Sequence, residues 1–239
     1  MQGPNSEKIK KMFGSIASGY DSANTVLSGG IHHIWKKDVV QASGVQPGFR
    51  VLDCATGTGD LAFEFKKAVG SNGQVTATDF CEEMLAIAEQ KSKDKNIPLI
   101  TEIADVTNLK FPDASFDICS IAFGIRNVSD PLKALSEMAR VVRPGGKVMV
   151  LEFGQPTIPV FKQAYNFYSR FILPQIGGAI TGQPSAYRYL QESSSEFPCR
   201  EMFVKLMKQT EKFEAYSYRT LSGGIAYIYS GTVTRNRFV

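Results

Sequence analysis

Asp53, Gly57, Thr58, Gly59 and Asp79 have the types and spacing to bind a nucleoside-bearing cofactor. The first four lie in VLDCATGTGD, residues 51–60, and Asp79 ends the next apolar run, Val75-Thr76-Ala77-Thr78. Glycines accept backbone dihedrals that other residues avoid and let a ligand come close to the main chain. The helical pattern that follows, Leu61 to Lys66, offers unpaired N–H groups at its start. An acid at the end of the next strand can accept bonds from both ribose hydroxyls. Gly57 to Ala62 also fits GxGxxA, so these residues alone leave a dinucleotide open.

Such a loop needs strands and helices to hold it. From Arg50 the pattern alternates, with strands at 50–54, 74–78, 99–103, 116–122 and 147–153. Helices are expected at 31–42, 60–69, 81–92, 130–142 and 199–210, and Pro144-Gly145-Gly146 reads as a turn before the fifth strand. The alternation implies βαβ units and a parallel sheet. Two more strands, Glu214 to Thr220 and Ile225 to Val233, flank Ser222-Gly223-Gly224 as a hairpin. A hairpin cannot join parallel neighbours, so the last strand should run antiparallel to the others. The fold class is therefore α/β, with a sheet of about seven strands, mostly parallel, and helices on both faces. We expect one domain over 1–239, a helical N-terminal lid over 1–45 and an inserted aromatic lobe over 155–198. In that lobe Phe161, Tyr165 and Tyr168 recur at helical spacing, a pattern that suits core packing or ligand contact.

Composition narrows the class. The chain has 239 residues, 43% of them hydrophobic, enough for a medium domain with its own core. No apolar run approaches a bilayer span, and the N-terminus lacks the apolar block of a signal peptide. The four cysteines form no CxxC pair and read as reduced thiols of a cytoplasmic protein. His32 and His33, the two histidines, are too few for an ordinary His-based metal site, so no metal is expected. A net charge of +4 without a basic stripe argues against nucleic acid.

Several stretches together resemble class I S-adenosylmethionine-dependent methyltransferases: VLDCATGTGD, Asp79, LKFPDASFDICSIAFGIRNVSD and ALSEMARVVRPGGKVMVLEF. FGIRNV, GIHHIWKK, MFGSIASGYD and SAYRYLQES narrow the resemblance to the UbiE/MenG/Coq5 family of quinone-biosynthesis C-methyltransferases. It runs from about Phe13 to Gly231. The resemblance implies a Rossmann-like fold, S-adenosyl-L-methionine as cofactor with S-adenosylhomocysteine as its product, and C-methylation of a polyprenyl quinol, demethylmenaquinol foremost. It allows a homodimer and peripheral contact with the inner face of a membrane, through the Ile158 to Ile180 segment if anywhere.

By the same resemblance, Gly57, Thr58 and Gly59 approach the amino-acid tail and ribose, and Asp79 beside Phe80 holds the ribose hydroxyls. Asp105 accepts from the adenine amino group, the Val106 N–H binds the ring, and Ala122 lies near the cofactor where relatives often carry Ser. Asp53 either orients the loop or tail amine, or caps locally, while Asp60 suits a helix start. Arg126 and Asn127 should face the methyl donor after the fourth strand. An arginine stays protonated, so it would stabilise a developing phenolate or order a proton-accepting water. Tyr20, within the lid, and His32 are the other catalytic candidates, each with a structural role as its alternative. Tyr187, Arg188 and Tyr189 are placed in the substrate lobe. Ala55 stands where many methyltransferases have a first glycine, and MKQTEKFEAYSY lacks the Gly-Phe common in relatives.

Two other functions fit parts of the pattern. An NAD-dependent oxidoreductase shares the glycine loop and ribose acid, but not Asp105 or the closing antiparallel hairpin. A non-catalytic scaffold that keeps the cofactor fold has no use for an intact loop with Asp79 and Arg126.

Overall fold

The computed structural model describes residues 3–235, so the ends of the 1–239 expectation, 1–2 and 236–239, lie outside the described residues. Three helices come first: α1 (Ser6–Ile16), α2 (Tyr20–Ser28) and α3 (Ile31–Ser43). The Asn5 side chain caps α1 by accepting from the Lys8 N–H at 3.1 Å. An alternating series follows, β1 (Arg50–Cys54), α4 (Asp60–Val69), β2 (Gln74–Asp79), α5 (Glu82–Lys95), β3 (Ile100–Ile103), β4 (Phe116–Ala122), α6 (Pro131–Val141) and β5 (Val142–Phe153). The remainder is α7 (Pro159–Phe167), a π-helical turn (Tyr168–Ile172), α8 (Leu173–Thr181), α9 (Pro184–Glu196), α10 (Glu201–Gln209), β6 (Phe213–Leu221) and β7 (Ala226–Val233). Pro159 and Pro184 sit in the first turns of their helices, where a missing N–H costs nothing. Pro174 lies inside the continuous helical run of α7, π turn and α8, directly after the π turn.

All seven strands join one sheet in the order β3-β2-β1-β4-β5-β7-β6. β1 to β5 are mutually parallel, and β7 runs antiparallel to both β5 and β6, as the hairpin requires. Pro144-Gly145-Gly146 does not separate helix from strand. β5 already starts at Val142, and the pairing jumps from Phe116↔Val142 to Ile118↔Lys147, so the extra residues bulge out of a continuous ladder. Gly145 takes φ +77° in that bulge.

Alternating side chains feed two cores. Leu52, Cys119, Ile121, Val148 and Val150 pack with Leu135 and Met138 of α6 and Phe203 and Met207 of α10. Val51, Ile118, Met149 and Leu151 pack on the other face with Trp35 and Val39 of α3 and Phe65 of α4. Each side chain buried this completely contributes about 1.5–3 kcal/mol relative to exposure. A third cluster ties the N-terminal helices to the inserted ones through Ile16, Ala23, Ala186 and Tyr187, and the Tyr168 hydroxyl donates to the Leu27 carbonyl at 2.7 Å. The strand order reverses between β1 and β4. The crevice at their carboxyl ends is where a doubly wound sheet binds ligands.

Candidate active site

The β1–α4 loop builds the floor of the crevice. Ala55, Gly57 and Gly59 all have positive φ, at +47°, +56° and +85°. Ala55 thus holds a backbone shape that glycine prefers, at a cost of about 1–2 kcal/mol. Its methyl is packed so closely that a Cβ on Gly124 would lie 2.7 Å from it. At Gly59 a Cβ would meet the Phe63 ring and Ala88 at 3.1 Å, so this glycine serves the packing of α4 on α5 as well as the turn. Thr58 turns its hydroxyl away from the loop and donates to the Asp21 carboxylate of α2 at 2.6 Å.

Two carboxylates, Asp53 and Asp79, hold the loop from strand ends, and a third, Asp105, lies beyond β3. Asp53 is 1% exposed and accepts from Ser120 Oγ at 2.6 Å and Thr56 Oγ1 at 2.7 Å. Burial pushes its pKa up to about 6, against those two hydrogen bonds. Asp79 accepts from the Gly57 N–H at 2.8 Å and the Cys81 N–H at 2.9 Å, one bond to each oxygen. Each oxygen keeps a lone pair for a ligand hydroxyl. Burial raises the Asp79 pKa, and the main-chain donors oppose the rise. Asp105 folds back on Thr107, accepting from its N–H at 2.8 Å and its hydroxyl at 2.9 Å, all through Oδ1.

Two adjoining cavities occupy the crevice. One is a cleft walled by Asp79, Phe80, Asp105, Val106 and Asn127 and covered by Ser6, Glu7 and Lys10 of α1. The other is a more enclosed chamber bounded by His32, Asp53, Arg126, Phe153, Tyr187 and Tyr189. Phe13, Tyr20, Ala55, Gly57, Ala122 and Phe123 line both and form their common boundary. Arg126 and Asn127, both expected to face the methyl donor, line different cavities: Arg126 the chamber and Asn127 the cleft.

Arg126 lies in a single helical turn, Ile125–Asn127, and is 7% exposed. Its Nη1 donates to Glu152 Oε1 at 2.7 Å and to the Phe123 carbonyl, and Nε reaches Ser193 Oγ at 3.3 Å. Nη2 has no hydrogen-bond partner among the described residues. The guanidinium is thus clamped along one edge, with a donor to spare at the chamber. The Asn127 Oδ1 accepts from the Tyr189 hydroxyl at 3.1 Å.

Of the other catalytic candidates, Tyr20 has a pKa raised by burial to about 12, so at neutral pH its hydroxyl is a donor. His32 is held down to about 4 by burial and then by the Lys36 charge, so its imidazole is neutral. His32 Nδ1 lies 2.7 Å from Ser28 Oγ, which gives this ring a structural bond as well as a place in the chamber wall. His32, His33 and Asp60 come together as a metal cluster would, with ligand atoms within 4.8 Å of one another. Both Asp60 oxygens, however, already hold ammonium groups, Lys36 at 2.8 Å and Lys91 at 2.6 Å. Burial raises the Asp60 pKa, but the two lysines outweigh it and keep the group well below the ordinary range. Asp60 is therefore the hub of an ion-pair network, which Lys91 extends to Asp21 of α2 at 2.9 Å.

Glu152 is the residue that sequence reasoning missed. It is 1% exposed, and besides Arg126 it accepts from its neighbour's N–H, that of Phe153, at 2.8 Å. Its signal was an acid in the apolar run VMVLEF, since a charge on a buried strand needs a partner.

Comparison with known proteins places this geometry. A UbiE ubiquinone/menaquinone biosynthesis C-methyltransferase of Bdellovibrio bacteriovorus is 62% identical over 96% of this chain and 97% of its own. One from Geobacter sp. is 44% identical over 95% and 96%. Among solved structures, a SAM-dependent methyltransferase of Aquifex aeolicus superposes with a TM-score of 0.60 at 20% identity, over 83% of this chain and 89% of that one. The [4+2]-cyclase SpnF superposes with a TM-score of 0.64 at 15% identity, over 99% of both. The cyclase shows that this fold hosts more than one chemistry, so the fold alone does not assign a reaction. The family model described as the ubiE/COQ5 methyltransferase family matches residues 1–233, and the chain belongs to that family.

Proposed function

We propose that this protein methylates a ring carbon of a polyprenyl quinol, demethylmenaquinol foremost, using S-adenosylmethionine. The observation that carries the reading is the paired cavity. A cleft with a ribose-competent acid adjoins an aromatic chamber into which one clamped arginine offers a free donor.

The residues fit the cofactor. Asp79 retains acceptor capacity on both oxygens, Asp105 Oδ2 has no partner among the described residues, and neither has the Val106 N–H. Asp79 would hold the ribose hydroxyls, Asp105 and Val106 the adenine edge, and Phe80 the adenine-side wall. Gly57 and Ala122 line the passage between the cavities, where the reacting sulfur would lie, and Thr58 lies on its chamber side. When bound, S-adenosylmethionine supplies an electrophilic methyl group and leaves as S-adenosylhomocysteine.

The protein's task is to raise the nucleophilicity of the ring. Arg126 Nη2 donates to a ring oxygen and favours ionisation of that hydroxyl, and the phenolate so formed pushes electron density onto the ring carbon that takes the methyl. Glu152, Ser193 and the Phe123 carbonyl keep that donor from following the substrate, so the reaction needs little reorganisation. Tyr20, a donor at the common boundary, contributes a second hydrogen bond and closes the site with α1 and α2 as a lid. His32 and Asn127 orient the ring and the cleft wall. The hydroxyl proton passes to water, and when the ring carbon loses its proton as aromaticity returns the ring oxygen takes one back, so one proton is released for each methyl transferred. A polyprenyl tail also requires the protein to meet a bilayer peripherally, because among the described residues no helix is long and apolar enough to cross one.

The test is incubation with labelled S-adenosylmethionine and each demethylated quinol, with the labelled product identified. Calorimetry with S-adenosylhomocysteine and with NAD runs in parallel. Label in a ring methyl and binding of S-adenosylhomocysteine alone are expected. Binding of NAD without methyl transfer would overturn the reading.

A further inference from the structure

The segment α7, π turn and α8 is unusual in what it leaves uncovered. No residue of α7 is buried. Val160 is 78% exposed, Phe167 60% and Phe171 56%. With Ala164 they recur at i, i+4, i+7 and i+11, one stripe on the surface, and the Phe167 and Phe171 rings touch at 5.3 Å between centroids. The inner side of the same segment carries Tyr165, Tyr168 and the buried Ser169. The helix is therefore apolar both toward the protein and toward one outer flank, which a soluble surface helix has no reason to be.

The charge pattern says what covers this stripe. From residue 153 to residue 191 the chain has no Asp or Glu, although it carries 23 elsewhere. The charges in that span are Lys162, Arg170 and Arg188, all exposed and all positive. Lys162 and Arg170 have no carboxylate partner among the described residues, and Arg170 lies over the Phe171 ring at 5.6 Å. Exposed phenylalanines beside unpaired cations, with anions excluded, match the interface of an anionic bilayer: rings enter the acyl boundary and ammonium or guanidinium groups meet headgroup phosphates. An apolar patch meant for a second copy of the chain has no such need to exclude carboxylates.

We infer that the stripe of α7 and the π turn docks this protein on an anionic lipid surface. The inference rests on the quinol reading for its purpose, since the substrate tail is dissolved in that bilayer. The geometry agrees: α8 packs on α9, and α9 carries Tyr187, Tyr189 and Leu190 of the ring chamber, so one lobe joins membrane to site.

The experiment is co-sedimentation of the whole protein with vesicles of phosphatidylglycerol and phosphatidylcholine, or of phosphatidylcholine alone. Two double variants, Phe167→Ser with Phe171→Ser and Lys162→Glu with Arg170→Glu, are run beside it. The expected result is binding to the anionic vesicles, weakened about tenfold in either variant and by added salt. Affinity for S-adenosylhomocysteine and turnover of a short-tailed, water-soluble quinol should stay near the wild-type values. Failure of wild type to bind, or unchanged binding by the phenylalanine variant, overturns the docking site. So does a stable dimer, seen by analytical ultracentrifugation and broken by that variant, without vesicle binding. Loss of methyl transfer to every quinol, with vesicle binding intact, overturns the functional reading instead.

Discussion

Removing Glu152 should cost more stability than any other single carboxylate of the site. The Glu152→Ala variant leaves the Arg126 guanidinium, whose side chain is 5% exposed, without its counter-ion 2.7 Å away. Breaking a buried pair from one side typically costs about 3–5 kcal/mol, because the surviving charge stays desolvated. The Phe153 N–H loses its acceptor as well. Water from the chamber would satisfy part of this, so the lower half of that range is the expectation. For a chain of this size each kcal/mol lowers Tm by about 2–4 °C, which gives a drop of about 6–16 °C. The assay is thermal unfolding of the cofactor-free protein, confirmed by denaturant titration. The double variant Arg126→Leu with Glu152→Leu removes both charges and should be markedly more stable than Glu152→Ala alone. A loss below about 1 kcal/mol in the single variant, or simple additivity in the cycle, would refute the claim that Glu152 holds Arg126 in place.

Asp79→Ala should weaken S-adenosylhomocysteine binding by at least about tenfold in calorimetry, with far-UV circular dichroism retained, since charged-acceptor bonds contribute about 1.5–3 kcal/mol each. Arg126→Ala should lower the single-turnover rate by about 2.7–4 kcal/mol of barrier at unchanged cofactor affinity, and Arg126→Lys should restore only part. A wild-type rate in Arg126→Ala would move its role to Tyr20 or His32. Asp53 has a folded pKa of about 6, above the ordinary 3.8, so the folded state binds the extra proton. Its contribution is then most favourable below about pH 4 and is lost as pH rises through 6, by about 3 kcal/mol in all. Asp53→Asn should flatten that slope in denaturation of the cofactor-free protein between about pH 4 and 7, the window of that loss, and an unchanged slope would show that Asp53 is not its source.

Much of this architecture was legible because the signals were local. Alternating apolar runs marked every strand of the sheet, and the Ser222-Gly223-Gly224 hairpin fixed the direction of β7. The glycine loop and Asp79 came from spacing within one βαβ unit. What was not legible depended on residues far apart in the chain. Nothing near Thr58 in sequence announces Asp21, and nothing near Arg126 announces Ser193. The division of Arg126 and Asn127 between two cavities follows from a single helical turn, which sequence periodicity cannot register. The Pro144-Gly145-Gly146 bulge was misread because a turn and a bulge use the same residues. Which one forms depends on whether β4 still has partners to offer.

The place of β7 in the sheet bears on how the chain is made. It follows β6 in sequence yet lies between β5 and β6. During synthesis, β5 therefore emerges with a bare edge on the side away from β4, and it keeps that edge while all of α7 to α10 and β6 are added. β6 emerges next with no neighbour it can pair with. Both edges are filled in one event when β7 slides between them, a long-range closure of the kind that slows folding. Until then the nascent protein presents an apolar, unpaired strand beside the half-formed crevice. A ribosome-bound intermediate ending just after β6 should thus need a chaperone, and one ending after β7 should not.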